Sequence, residues 1–506
     1  MTRLPLSYPV AMLVAVVMLL PVGVLFTLTE STEGLFDARN FALLLNTLLL
    51  ILGTVVGAVL LGVPLALLTA YVRLPLEKLW LVILAAPLAL PSYLGAFTIY
   101  AAFGPGGELE NTLGIATPAA EGLFGAAMVM ALYTYPFVLL TTRSALLAQD
   151  VSQINAARTL GLSFTGCLWR VVLPRALNGI TAGALLAALY ALSDFGTPAI
   201  MRLDTFTRMI YVEYNAFGLS QAALLSLQLL ALVGLVLYLE SRVHVTPERP
   251  GRALSVWPRW WQVSAILVAI TPVTLMALVL PLGIFGVWLL RDGSGDFDMA
   301  YAWNSVYASL LAAAAAALVA LPVAWAAMGG RAGRLMERVT YLGFGIPGIV
   351  MGTALVYIGL KLAFLYQTLA LLVIAYVMRF LPLAVSSIRS TAESIDGSLV
   401  NAARVLGASR GEVFRRVTLP LTRRGIIAGA ALVFLEAMRE LPATLLLAPT
   451  GFETLATYLW RVYEAGYFGR AAVPGLLLIL MSGLGLLLML LGERREEFGV
   501  FEDNRA

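Results

Sequence analysis

NAARTLGLSFTGCLWRVVLP runs from Asn155 to Pro174, and NAARVLGASRGEVFRRVTLP runs from Asn401 to Pro420. Of these 20 aligned positions 11 are identical, where unrelated sequences share about one or two. Both stretches are polar and basic, yet 60% of the 506 residues are hydrophobic and 12% are charged. Soluble domains carry about 25% charged residues. The composition is that of a polytopic membrane protein, and the twenty-residue stretch is a feature it builds twice.

The repeat extends beyond the motif. At the same offset of 246, Gly179, Ile180 and Gly183 match Gly425, Ile426 and Gly429, Asp194 matches Glu440, and Phe206 matches Phe452. Upstream, Asn46 and Pro64 match Asn304 and Pro322 at an offset of 258, and Pro91 matches Pro347 at 256. The remaining difference falls in a longer outer loop of the first half, roughly residues 102–122.

A helix needs about 20 apolar residues to cross the hydrocarbon core, which gives six spans in the first half, roughly 9–28, 46–71, 79–101, 123–142, 176–200 and 221–239. The second half gives six more, roughly 263–290, 304–327, 340–360, 369–388, 425–448 and 471–492. The first is read as a retained helix, since no small-residue cleavage site follows it. With both termini cytoplasmic, 24 of the 33 Lys and Arg residues lie in cytoplasmic segments, seven lie outside, and Arg379 and Arg439 fall in or near spans. That bias sets the orientation and puts both motif copies in the cytoplasm. WPRWW at 257–261 then reads as an interfacial anchor. The expected fold is all-α, with about twelve spans in two six-helix repeats, 1–245 and 246–506, joined by a basic segment around 240–262. An even number of spans per repeat makes the repeats parallel, with their axis along the membrane normal.

Each motif predicts a short helix, a glycine turn and a second short helix closed by Leu-Pro. Ala156, Ala157 and Leu160 form a small apolar stripe, Arg158 points elsewhere, Gly161 relaxes the turn, and Pro174 blocks continuation until the next span starts near Ala176. The product is a flat, small-residue surface suited to docking.

The chemistry classes narrow quickly. One cysteine, Cys167, and one histidine, His244, exclude an internal disulfide and a zinc cluster. Neither Lys78 nor Lys361 closes a GxxxxGK[ST] pattern, so the chain has no P-loop with which to hydrolyse ATP. An intramembrane enzyme lacks its His-Glu or Ser-His pair, and a secondary transporter favours the inverted repeat that this chain does not have.

The motif resembles the EAA---G---------LP signature of ABC-transporter permeases of the binding-protein-dependent importer class, in the fused two-domain, MetI-like form. In that family the motif is the coupling helix that seats in a cytoplasmic ATPase. The resemblance implies coupling roles for Ala156, Ala157 and Gly161 and for Ala402, Ala403 and Gly407, with Arg158 and Arg404 as neighbouring contacts. Asn155 and Asn401 replace the family's usual Glu and remove an ion pair there. It further implies two copies of a separate ATPase subunit using ATP and Mg, an external solute-binding protein, no cofactor in this chain, no nucleic-acid partner, and a path whose accessibility alternates as the ATPases close.

Across nearly the whole chain the sequence is similar to iron(III) importers, through ALSDFGTPAIM (191–201), FTRMIY (206–211) and EAMRELPATLLLAPTGFETLATYLW (436–460). Related fused permeases move thiamine or phosphonates, and polyamine is a further alternative within the class. Two readings of the acids stay open. Asp194 and Glu440, with Glu436 and Arg439 beside the latter, would flank the path and pass a hard cation by oxygen coordination. Equally, they would brace helix ends at the Gly-Thr-Pro and Leu-Pro-Ala breaks. Arg439 is placed to pair with Glu436 three residues earlier. Arg379, inside the tenth span, either snorkels or pairs with a span acid.

Overall fold

Apolar segments in a bilayer must satisfy their backbone groups internally, and this chain does so almost entirely with helices. The computed structural model describes residues 7–29, 37–242, 254–295 and 297–484. The first half contains α1 (Ser7–Leu28), α2 (Ala38–Tyr71), α3 (Glu77–Ala89), α4 (Ser92–Ala102), α5 (Glu108–Leu113), α6 (Gly122–Leu147), α7 (Val151–Thr159), α8 (Phe164–Ser193), α9 (Gly196–Ile200), α10 (Phe206–Asn215) and α11 (Leu219–Arg242). The second contains α12 (Trp260–Asp292), α13 (Met299–Met328), α14 (Arg331–Gly345), α15 (Gly348–Lys361), α16 (Leu369–Glu393), α17 (Gly397–Val405), α18 (Gly411–Met438), α19 (Pro442–Leu447), α20 (Leu455–Glu464) and α21 (Phe468–Leu484). Among the described residues nine helices are long and apolar enough to span a membrane, and two bent pairs raise the number to eleven. The twelfth expected span is described only as far as Leu484, and His244 lies outside the described residues.

The bent pairs correct the expected third and ninth spans. The chain turns by 90° between α3 and α4 and by 102° between α14 and α15. Both turns sit at the aligned prolines, Pro91 and Pro347. A proline excludes the helical conformation from the residue before it, and Leu90 and Ile346 are extended, with ψ of 136° and 122°. Pro64 and Pro322, by contrast, stay inside α2 and α13.

Pro174 does not block its helix as expected. Each motif runs into the following span through one wide π turn, Leu168–Val172 and Phe414–Thr418, in which the Leu before the proline donates its N–H five residues back. The two π turns lie 246 residues apart, so the Leu-Pro pair shapes a junction rather than a stop. The fifth and eleventh spans also end earlier than expected, at Ser193 and Met438, and the residues beyond them form the separate helices α9 and α19.

The chain forms two compact units, and they divide it differently from the sequence repeat. One combines α1 with Ile210–Gln228 and the chain from Ser294 onward; the other combines Gly34–Met209 with Leu229–Gly293. Thus α1 packs on α13, α14 and α15 within its unit, while α12 packs with α4 within the other. In the latter unit α2 lies tight against α6, as its glycines predict: a Cβ on Gly57 would stand 2.6 Å from that of Ala131, and one on Gly62 2.7 Å from that of Val138. Trp257 and Trp260 are more than three-quarters exposed, which suits an interfacial anchor.

The longer loop of the first half has a structural task. Glu108, at the start of α5, accepts hydrogen bonds from Trp288 Nε1 at 2.6 Å and from Arg291 Nη1 and Nη2 at 3.1 and 2.9 Å. This fork holds the end of α12 against its unit. Glu108→Ala should destabilise the chain by about 2 kcal/mol, the scale of hydrogen bonds to a charged group. Asp292→Ala removes only an exposed partner of Arg291 and should cost less than about 1 kcal/mol. Thermal unfolding in nanodiscs checks this, and equal midpoint shifts for the two variants would refute the clip.

Candidate functional site

The motif helices α7 and α17 are capped alike at both ends. Asp150 Oδ1 accepts the Ser152 N–H at 2.9 Å, and Asp396 Oδ1 accepts the Ser398 N–H at 2.9 Å. These are N-caps that satisfy otherwise orphaned amides. The Ser398 hydrogen bonds hold the Asp396 carboxyl below the ordinary carboxylate range. The caps are written in the sequence as an Asp-x-Ser at the shared offset, five residues before Asn155 and Asn401.

At the other end Gly161 and Gly407 sit at φ of +92° and +86°. The Gly161 N–H bonds the Arg158 carbonyl and the Leu162 N–H bonds that of Ala157; Gly407 and Ala408 repeat both bonds with Arg404 and Ala403. This is a Schellman closure, which needs a left-handed residue at the glycine position. Glycine is therefore fixed at both sites by backbone conformation, since a Cβ there would meet open space.

The candidate coupling residues divide by face. Ala156, Arg158, Ala402 and Arg404 are exposed, whereas Ala157 is buried and Ala403 half-buried. Ala157 packs in one core with Ile154 and Cys167, the buried thiol that secures the loop from beneath. The outward faces carry a feature the sequence reading placed in the stripe: Leu160 is 86% exposed and Leu406 87%, at equivalent positions. Each loop presents a bare leucine beside an arginine, with Asn155 or Asn401 exposed nearby.

The acids sit at the helix breaks. Asp194 accepts from Ser92 Oγ at 3.0 Å and from the Thr197 N–H at 3.1 Å, and its carbonyl accepts from Thr207 Oγ1 at 2.9 Å. It ties the end of α8 to the start of α9 and to the residue after Pro91. Glu440 Oε1 accepts from Arg379 Nη1 at 3.2 Å and from the Ala443 N–H at 3.2 Å, capping α19. Arg379 therefore pairs with a span acid, and both partners are largely buried. Arg439 pairs with Glu436, as the spacing predicts, with a second contact from Nε at 3.1 Å.

The two breaks use the same scaffold with different side chains. Ser92 is replaced by Gly348 and Tyr133 by Arg379 at the matching offsets. A Cβ on Gly348 would lie 1.8 Å from Arg379 Nη1. Glycine thus makes room for the guanidinium, and the guanidinium requires Glu440. In the first repeat the neutral Tyr133 instead donates its hydroxyl to the Ala277 carbonyl at 3.0 Å.

The aligned asparagines lock the same region. Asn46 Nδ2 donates to the Asp204 carbonyl and Asn304 Nδ2 to that of Glu453, both at 3.0 Å. The next residues, Thr47 and Ser305, accept the N–H groups of Phe206 and Leu455. Phe206 is therefore equivalent to Leu455, not Phe452, because the second repeat carries three extra residues in this turn. Among the described residues no three His, Cys, Asp or Glu side chains are grouped to hold a metal ion.

Substitutions at the paired break positions should differ in effect. Gly348→Ala drives a methyl group into the guanidinium and strands Glu440, a loss of about 3 kcal/mol. Ser92→Ala leaves Asp194 its Thr197 amide and should cost about 1 kcal/mol. Thermal unfolding of the two variants in nanodiscs should rank them in that order; the reverse order would show that the Arg379–Glu440 pair does not hold its break.

Comparison with known proteins agrees with the doubled motif. The family described as "Binding-protein-dependent transport system inner membrane component" matches twice, over residues 62–245 and 316–497. The Fe(3+)-transport system permease protein FbpB 2 of Haemophilus influenzae is 30% identical, covering 91% of this chain and 92% of its own. The molybdenum transport system permease protein ModB of Escherichia coli is 35% identical over 28% of this chain and 70% of its own. The putative 2-aminoethylphosphonate transport system permease protein PhnV of Salmonella typhimurium is 29% identical over 38% of this chain and 74% of its own. With two copies of the family's domain and a relative aligned along nearly its whole length, the chain belongs to the membrane-spanning permeases of binding-protein-dependent ABC transport systems.

Proposed function

We propose that this permease imports iron(III), delivered by an external binding protein and driven by two copies of a separate ATPase subunit docked on α7 and α17. The observation that carries the docking assignment is the twice-built loop, closed by Gly161 and Gly407, that presents Leu160 and Leu406 beside Arg158 and Arg404. Exposed leucines next to a polar loop suit a protein cleft, where they are desolvated on binding. Ala156 and Ala402 contribute the flat outer surface, and Ala157 and Ala403 support it from within. Both termini lie in the cytoplasm on this reading, and 1–245 and 246–506 act as the two functional repeats. ATP and Mg work in the ATPases, and this chain holds no cofactor.

Iron(III) is favoured because the iron-transport relative aligns over 91% of the chain, against 28% and 38% for the molybdenum and phosphonate relatives. Thiamine, phosphonate or polyamine are the alternatives within the same class. Asp194 and Glu440 serve the path by fixing the broken helices beside it, since their carboxylates already accept from protein donors, and Arg439 donates to Glu436 next to Glu440.

Leu160→Asp combined with Leu406→Asp changes only exposed side chains, so the chain should still insert and fold. Co-purification of the ATPase on a tag carried by this chain should fall more than about tenfold, the scale of losing buried apolar anchors. Unchanged co-purification would refute the docking assignment. Separately, deleting and restoring the gene should abolish and rescue uptake of radiolabelled iron(III); normal uptake in a strain without another importer would reject iron and leave the permease assignment standing.

A further inference from the structure

The two repeats carry the docking loop alike but connect it to their helix breaks differently. In the second repeat α16 ends at Glu393, and three residues later Asp396 caps α17. One turn before that end, Arg389 Nε bonds Glu393 Oε1 at 2.8 Å, and its Nη1 pairs with Glu337 Oε2 on α14. The Glu337 side chain is 4% exposed. Further along, α14 meets α16 backbone to backbone: a Cβ on Gly343 would stand 2.0 Å from the Met378 carbonyl oxygen. Two fixed points about 9 Å apart along α14 therefore join it to α16, just ahead of the break at Pro347.

The first repeat keeps the arginine, as Arg143, but Leu81 and Leu147 stand where the second has Glu337 and Glu393. Arg143 Nε is buried without an acceptor, and the nearby acid Glu77 pairs with Arg73 at 3.1 Å. Among the described residues a close ion pair joins the helix leading to the motif loop to the broken helix in the second repeat, whereas in the first Arg143 feels Glu77 on α3 only at longer range.

We propose that Arg389 is a positioning residue for transport: through Glu337 it makes α14, and with it the break at Pro347, follow the docking loop α17 when the bound ATPase moves. This rests on the docking role given to α17 above. Separating a buried carboxylate from its guanidinium leaves an uncompensated charge, so α14 and α16 move as one body. In the first repeat the leucines and the longer-range Arg143–Glu77 attraction impose a smaller penalty, and such packed helices slide past one another in shear.

The test follows α14 directly and needs no knowledge of the solute. Leu335→Cys, exposed on α14, is introduced, the parent chain with its buried Cys167 alone serves as the labelling blank, and the complex is isolated with its ATPases on a tag carried by this chain. Maleimide labelling of the new thiol is timed with and without ATP and vanadate. The labelling rate should change about tenfold on trapping, and Arg389→Gln should reduce that change to less than about twofold, within the range of coupling terms carried by single residues. Arg143→Gln should leave the response intact, and Glu337→Arg with Arg389→Glu should restore it. Glu393→Gln, which alters a half-exposed acid, gives a partial loss and carries the test if Arg389→Gln fails to assemble. Equal effects of Arg143→Gln and Arg389→Gln, or no response of α14 in the parent complex, would overturn the proposal. ATPase co-purification is scored alongside: retained with Arg389→Gln, it isolates transmission from docking, whereas retention in the Leu160/Leu406 variant would sink the docking role itself.

Discussion

A helix that breaks at membrane depth exposes amides and carbonyls that water cannot reach, so side chains must replace the missing backbone partners. That constraint organises this permease. Pro91 and Pro347 each force a turn of about a right angle, and α8 and α18 each stop short, leaving the amides of α9 and α19 to be met. Asp194 and Glu440 meet them, and each also reaches across to the break, one through Ser92 and the other through Arg379. The asparagines at 46 and 304 complete the same region by holding the turn that leads into α10 and α20. Acids in a span are costly in isolation; here their oxygens are the acceptors that make irregular backbone tolerable.

The two motif loops obey a related rule. A nine-residue helix has little stability of its own, so α7 and α17 depend on a capping aspartate at the start, a left-handed glycine at the end and an apolar underside. With those three elements fixed, the outward residues are free of structural duty. A leucine left almost fully exposed at the same place in both loops is not explained by packing within the chain, and the proposed docking role rests on that.

Much of this was legible in the sequence because it was written twice. The doubled motif, the aligned prolines and asparagines and the acids at 194 and 440 follow from the offsets, and the spans from apolar windows. What the prolines do was not legible. Pro64, Pro91 and Pro174 look alike as letters, yet one is absorbed in a helix, one breaks a span and one drives a π turn, because neighbouring packing decides whether the lost hydrogen bond is replaced. The inward turn of Ala157 and the outward turn of Leu160 were also hidden, since on so short a helix the apolar stripe does not say which side is covered. The three-residue shift that pairs Phe206 with Leu455 lay inside a turn, where sequence offers no periodicity to hold a register.

The division into compact units was hidden for a different reason. Repeats are found by similarity, whereas compactness depends on where a long connection lets a helix travel; α1 belongs by sequence to the first repeat and by packing to the helices of the second. Fusing both repeats in one chain has a consequence for chemistry as well. Two identical subunits related by symmetry must carry the same side chain at every equivalent position. A fused pair is released from that rule, and this chain has used the freedom where charge is most expensive. Tyr133 corresponds to Arg379, Ser92 to Gly348, and Leu147 to Glu393 in the aligned repeats, while the caps and glycines of the motif loops stay the same. The exposed loop to which the proposed function gives a common type of partner is held constant, and the buried positions at the helix breaks have diverged.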